Sequence, residues 1–148
     1  MSAEVMSELQ HGRLYRFKDW PISGVPTEPG VYTVWNDACE LLYVGIATSS
    51  GPSKGLRSRL GSHANGGRGG DKFNVYIADR FVLQTLTKEQ ITDISEGKIL
   101  FDELVKGYNR KYLSFRFCRC PKTDTKYIED LLKEGRWPHG RKPVLNPS

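Results

Sequence analysis

At 148 residues and 16.8 kDa, the chain is long enough for one domain with a core of its own, so disulfide staples are not required. A hydrophobic fraction of 38% beside 26% charged residues, with Trp, Tyr and Phe all present, excludes a disordered tail, a collagen-like repeat and a low-complexity linker. The 22 Lys and Arg against 17 Asp and Glu leave a net charge of +5, which permits a polyanionic partner without requiring one.

The first ten residues carry Glu4 and Glu8 and no basic residue, so no secretory signal is expected there. Residues 1–29 read as an N-terminal arm, polar at first, then aromatic and basic from Tyr15 to Trp20, and kept extended by Pro21, Pro26 and Pro29. Residues 31–35 and 41–46 are rich in Val, Tyr and Trp, and the link over 36–40 has turn chemistry, so the pair predicts a β-hairpin. The run over 41–47 is the most apolar in the chain, yet far short of the ~20 residues a bilayer helix needs. No membrane association is expected.

A polar loop then leads into a helix predicted over 55–64, stopped at Asn65-Gly66-Gly67, with a glycine-rich loop to Gly70. Residues 71–83 support either a helix, through Phe73, Tyr76 and Ile77, or a segment ending as a strand. Thr87, with Gln90 three residues on, has the signature of a capping box opening a helix to Ile94. A helix around 100–112 gathers Leu100, Leu104, Val105 and Tyr108 on one side. Residues 113–120 alternate, with Leu113, Phe115 and Phe117 on one face and Arg116 on the other, and predict a third strand. A helix over 124–134 carries Ile128, Leu131 and Leu132 as its buried stripe. The tail from Trp137, punctuated by Pro138, Pro143 and Pro147, reads as irregular. The expected fold is α/β (α+β), a small, mostly antiparallel three-stranded sheet flanked by helices: an arm at 1–29, then a domain over 30–148 with a helical insert at about 66–112.

Charge is segregated along this chain. Residues 54–72 carry a net +4 and 110–122 a net +5, whereas 87–106 between them carries −2. Such segregation suits one basic face toward a polyanion, and is equally what two solvated surface segments look like. The three cysteines, Cys39, Cys118 and Cys120, cannot all pair within the chain, which favours a reducing, cytoplasmic compartment. Cys118 and Cys120 with Cys39 or His139 lack the C-x-x-C spacing of a zinc site, and Gly45 to Lys54 lack that of a phosphate loop.

Arg59 and His63 are four residues apart and share one helix face, beside the apolar stripe of Leu56 and Leu60. A planar guanidinium suits a phosphate, although the same pair also describes a surface arginine and a histidine near a helix end. Glu129 borders the buried stripe of its helix. One carboxylate suffices for a magnesium ion, which keeps several waters and takes substrate phosphate as ligand. No motif places a second carboxylate beside it, so one ion is expected rather than two. Tyr32 and Tyr43 lie on opposite arms of the hairpin. An even turn, such as Asp37-Ala38, sets them near-opposite on one face, whereas an odd turn separates them.

Gly30-Val31-Tyr32 followed by Tyr43-Val44-Gly45, then Leu56-Arg57-Ser58-Arg59-Leu60 with His63, Glu129 on a late helix, and Pro143-Val144-Leu145-Asn146 at the end, resembles the ordered signature of the GIY-YIG nuclease superfamily. That superfamily includes phage homing endonucleases, restriction endonucleases and an excision-repair incision subunit. The elements span Gly30 to Asn146. The resemblance implies a metal-dependent DNA endonuclease using one Mg²⁺ or Mn²⁺, in a bacterial or phage setting, acting in restriction or DNA repair. It implies Tyr32 as the base for water, aided by His63, with a phenol pKa brought below its ordinary ~10. Tyr43 would orient water or phosphate, Arg59 would balance developing charge, and Glu129 would hold the metal. Lys54, Arg57, Arg68 and Asn146 are expected toward substrate, with Asn146 organising the site. Several relatives carry lysine directly after Tyr-x-Gly, where this chain has Ile46, and Lys54 is the candidate replacement. The expected partner is DNA rather than RNA, with recognition left to the arm at 1–29, the insert at about 66–112, a homodimer or partner protein, or DNA structure. The alternative is a catalytically weak nucleic-acid-binding module of the same fold.

Overall fold

The computed structural model describes residues 2–136 and 141–146. Trp137, Pro138, His139 and Pro147 lie outside the described residues. In chain order the elements are α1 (Ser2–His11), β1 (Tyr15–Arg16), β2 (Gly30–Trp35), β3 (Leu41–Ala47), α2 (Gly55–Asn65), α3 (Lys72–Ile77), α4 (Lys88–Ser95), α5 (Phe101–Tyr112), β4 (Ser114–Arg119) and α6 (Lys122–Lys133). The strands form a single sheet in the order β1-β4-β2-β3, antiparallel throughout. The chain is therefore mixed α/β around a four-stranded sheet, which corrects the expected three. The added strand lies in the arm, where Tyr15 pairs with Phe115 and Arg16 with Ser114. Two residues carry no periodicity to read, so only the distant partner β4 defines them.

Residues 1–29 are not simply extended. Ser2–His11 wind into α1, whose Met6 and Leu9 are buried against Val31, Val44, Ile128 and Leu132 on one face of the sheet. The other face carries the larger core, in which Tyr32, Val34 and Phe115 meet Leu56, Leu60, Phe73, Ile77 and Val105 from α2, α3 and α5. With both faces covered, β2 is buried from Gly30 to Val34. Alternation along β2 sends Val31 and Thr33 toward α1, and Tyr32 and Val34 toward α2. Thr33 satisfies its hydroxyl there by donating to the Leu9 carbonyl at 2.7 Å.

The hairpin turn is odd, and a bulge corrects it. Asn36 and Glu40 close a three-residue turn, 37–39, with Cys39 in the left-handed region at φ 59°. Trp35 pairs with Leu41, but Val34 pairs with Tyr43, so the register shifts by one and leaves Leu42 without a partner on β2. Without that shift Tyr43 would oppose Thr33 and face α1. With it, Tyr32 opposes Gly45, Tyr43 opposes Val34, and the two tyrosines are diagonal neighbours on the α2 face.

The helices follow the sequence closely, with one open alternative decided and one difference. Residues 71–83 are helical rather than strand: α3 runs on through a π turn at Ala78–Val82 and a 3-10 turn at Leu83–Thr85. Leu100 precedes the first turn of α5 and is 64% exposed, so Val105, with half-buried Leu104 and Tyr108, carries the inner stripe without it. The Thr87–Gln90 capping box is present with both of its bonds. Helix α2 starts at Gly55, whose φ of +70° and contact with the Thr27 backbone exclude a side chain. It stops at Gly66 in the left-handed conformation. Among the described residues, no helix is long and apolar enough to cross a membrane.

Candidate active site

Tyr32 is fully buried, and its ring lies over Gly45, where a Cβ would overlap Cζ and Oη. Gly30, the first residue of the same strand, is as tightly approached by the Cys118 carbonyl and the Leu56 side chain. Both glycines of the paired tripeptides are thus required by close contact rather than by backbone dihedrals. The Tyr32 hydroxyl is 2.6 Å from Nε2 of His63, and Nδ1 of His63 is 2.7 Å from Oδ2 of Asp71. The same Asp71 oxygen accepts from the Ser62 hydroxyl at 2.6 Å, while Oδ1 accepts the Asn74 backbone N–H at 3.0 Å and so caps α3. The Asn109 amide on α5 donates to the His63 carbonyl at 2.8 Å and to Asn74 at 2.9 Å, joining three helices behind the imidazole.

Tyr43 closes the cluster toward solvent. Its ring is half-buried, 6.4 Å from that of Tyr32, edge-on to His63 at 6.1 Å, and 5.1 Å from Phe73. Arg59 is exposed one turn before His63, and its guanidinium reaches the Tyr32 hydroxyl. Tyr32, Tyr43, Arg59 and His63 are therefore brought together. Glu129 stands on α6, in electrostatic range of Tyr43. Its side chain is buried, its oxygens are each 3.4 Å from the ammonium groups of Lys126 and Lys133, and its charge raises the Tyr43 pKa.

Burial dominates the electrostatics. It pushes the Tyr32 phenol strongly upward, with Tyr43 and Asp71 adding to the rise and Arg59 opposing it. Tyr43, less buried, is pushed up to about 12 by the same desolvation. The expected lowering of the Tyr32 pKa is not found, because a hydroxyl with no exposed surface loses more hydration than one arginine restores. Burial lowers His63 despite the pull of Asp71, so the imidazole is neutral. Burial also opposes ionisation of Asp71, but hydrogen bonds from His63, Ser62 and Asn74 outweigh it and hold the carboxyl below its ordinary range.

The residues expected toward substrate divide differently. Arg57 donates to the Val25 carbonyl at 3.0 Å and to that of Ile22 at 2.7 Å, tying residues 22–25 to α2. Arg68 pairs with Asp102 at the surface and lies over the Phe101 ring. Asn146 uses both ends of its amide on Val44, accepting its N–H at 2.8 Å and donating to its carbonyl at 3.0 Å. Together with bonds from Val144 and Leu145 to Leu41 and Leu42, this seals the outer edge of β3 next to Tyr43. Of the four, Lys54 alone is exposed with a side chain that makes no hydrogen bond or ion pair among the described residues. The second basic segment is similarly committed: Arg110 donates to the Ala64 and Trp20 carbonyls, and Arg116 to that of Gly12. The first-turn N–H groups of α2 meet the Glu28 and Pro26 carbonyls, so that helix end is occupied by protein.

Among the described residues, no group of three His, Cys, Asp or Glu side chains could form a complete metal cage. Glu129 nonetheless suits a hard cation. It is a buried oxygen donor whose lysine partners sit at loose ion-pair distance, and magnesium accepts one protein carboxylate with water completing its shell. Asp71, Ser62, Asn74 and Asn109 were not legible as site residues. The one local signal was Asp71 as a cap after the glycine loop, and nothing in the spacing ties it to His63. No family model matches the chain, nor does any curated protein or solved structure.

Proposed function

We propose that this chain is a metal-dependent DNA endonuclease of the GIY-YIG type, hydrolysing phosphodiester bonds at Tyr32, Tyr43, Arg59, His63 and Glu129. The observation that supports the reading is the 2.6 Å bond between Tyr32 and a neutral His63, beside a guanidinium at a partly open spot in an otherwise buried cluster. Phosphodiester hydrolysis needs a proton acceptor for water and positive charge on the non-bridging oxygens. Tyr32 with His63 supplies the first, and Arg59 the second. Tyr43, the half-buried hydroxyl, orients the water or the phosphate. Glu129 would hold one Mg²⁺ or Mn²⁺, which when bound supplies Lewis-acid stabilisation of charge on the phosphate. Lys54, whose side chain makes no ion pair among the described residues, would meet the DNA backbone. Recognition of the target would fall to residues 1–29, the helices of 66–112, a second copy or a partner protein.

Supercoiled plasmid tests this directly. Nicking or linearisation is expected with Mg²⁺ or Mn²⁺ and not with EDTA. Tyr32→Phe, Arg59→Ala and Glu129→Ala are each expected to lower the rate by roughly 10²–10³-fold. Equal residual nicking by wild type and variants would overturn the assignment. Salt-sensitive DNA binding without any cleavage would instead favour the binding-module reading.

A further inference from the structure

We infer that Asp71 is a positioning residue: by accepting the Nδ1–H of His63 it leaves Nε2 unprotonated against the Tyr32 hydroxyl, so that Tyr32 passes its proton to His63 while taking one from the attacking water. The inference deepens the hydrolase reading and rests on it.

The direction of each bond follows from the donors. The Ser62 hydroxyl, the Asn74 backbone N–H and the Asn74 side-chain amide all point at Asp71, at 2.6, 3.0 and 3.2 Å. An ionised carboxylate is an acceptor only, so Nδ1 of His63 must be the donor in the 2.7 Å contact. A neutral imidazole protonated at Nδ1 carries its lone pair on Nε2, and the Tyr32 O–H donates into it at 2.6 Å. One further hydrogen bond, from Asn109 to the His63 carbonyl, holds the backbone from behind, and the Phe73 ring packs on the imidazole at 4.5 Å.

The balance is then complete. A water proton moves to Tyr32 Oη as the Tyr32 proton moves to His63 Nε2. The water oxygen bonds to phosphorus, the P–O bond to the leaving nucleoside breaks, and that oxygen takes a proton from solvent. The imidazolium formed sits against Asp71, and it returns its proton through Tyr32 after product leaves. No free phenolate forms at any point, which is the species that complete burial of Tyr32 disfavours. The groups facing His63 are Tyr32 from β2, Tyr43 from β3, Asp71 ahead of α3 and Arg59 on its own helix, while α5 presents the uncharged Asn109 and places Arg110 on the neighbouring Ala64 carbonyl.

The test is Asp71→Asn in the full chain. Asparagine still caps a helix, so α3 is retained, but its amide can donate to Nδ1 and favour the opposite tautomer. Cleavage is expected to fall about 10²–10⁴-fold with DNA binding unchanged. Wild-type activity should fail at low pH as His63 takes up a proton. In Asp71→Asn that acid limb should move to lower pH, because the carboxylate no longer favours the imidazolium. A purely structural role would lower the folded fraction and leave the limb in place, which would overturn the inference. Nitrogen-15 NMR gives a readout that needs no catalysis: wild-type His63 should be protonated at Nδ1 and bare at Nε2, and the reverse would also overturn it. If the wild type has that tautomer yet cuts no DNA, the hydrolase reading fails while the hold of Asp71 on the imidazole stands.

Discussion

Gly45 lies directly across the ladder from Tyr32, and the tyrosine ring occupies the space its side chain would need. The glycine of one tripeptide is thus the floor beneath the tyrosine of the other. The pairing of the two motifs is a packing relationship before it is a chemical one.

Gly45→Ala should therefore act through Tyr32. The added methyl cannot fit without moving the ring away from His63. Overpacking of this kind costs about 1–3 kcal/mol. Urea unfolding should show that loss, and cleavage should fall as steeply as in Tyr32→Phe although the hydroxyl is still present. A variant with wild-type stability and rate would contradict the contact.

Stability should decline on both sides of neutrality, for different residues. His63 is lowered in the folded chain by burial, so the unfolded state takes up its proton first as pH falls below about 6.5. That loss runs from there down to the folded pKa. Asp71 is also lowered, where burial is overcome by its hydrogen bonds, and its contribution is intact above about pH 4 and lost below. Tyr32 and Tyr43 are both raised by burial, Tyr43 to about 12, so unfolded phenols ionise first once pH exceeds about 10. Urea midpoints between pH 4 and 11 check this, and Tyr32→Phe should flatten the alkaline side. A midpoint unchanged from pH 7 to 5 would contradict the state assigned to His63.

Two basic residues three apart in sequence should behave oppositely. Arg57→Ala strands two carbonyl partners and should destabilise the fold by about 1–3 kcal/mol, with the salt slope of DNA binding unchanged. Lys54→Ala should leave thermal unfolding alone and reduce that slope by about one. Melting curves and titrations at several salt concentrations separate the two. Equal effects on binding would return Arg57 to the DNA-facing set.

What could be read in the sequence was local. The hairpin, the glycine stops of α2, the Thr87 cap and the stripe of α6 each depend on residues a few positions apart, where propensity and periodicity act. Arg59 and His63 were placed together by helical spacing alone. The rest depends on distant partners. Tyr15 and Arg16 are a strand only because β4 receives them, and Asp71 matters only because the glycine loop folds it back onto His63. Charge was the least informative signal: most arginines of the two basic segments end on backbone carbonyls or an acid, an outcome that composition does not encode.

The unpaired Leu42 also constrains how this hairpin can change. A three-residue turn with one inserted residue and a two-residue turn with none bring both tyrosines to the same side, but neither step alone does. At unchanged chain length, a two-residue turn with the bulge kept, or the three-residue turn with the bulge lost, would turn Tyr43 over toward Leu9 and α6. The stretch between Tyr32 and Tyr43 therefore allows two hairpins that keep the tyrosines together, and passing from one to the other must change turn and bulge in the same step.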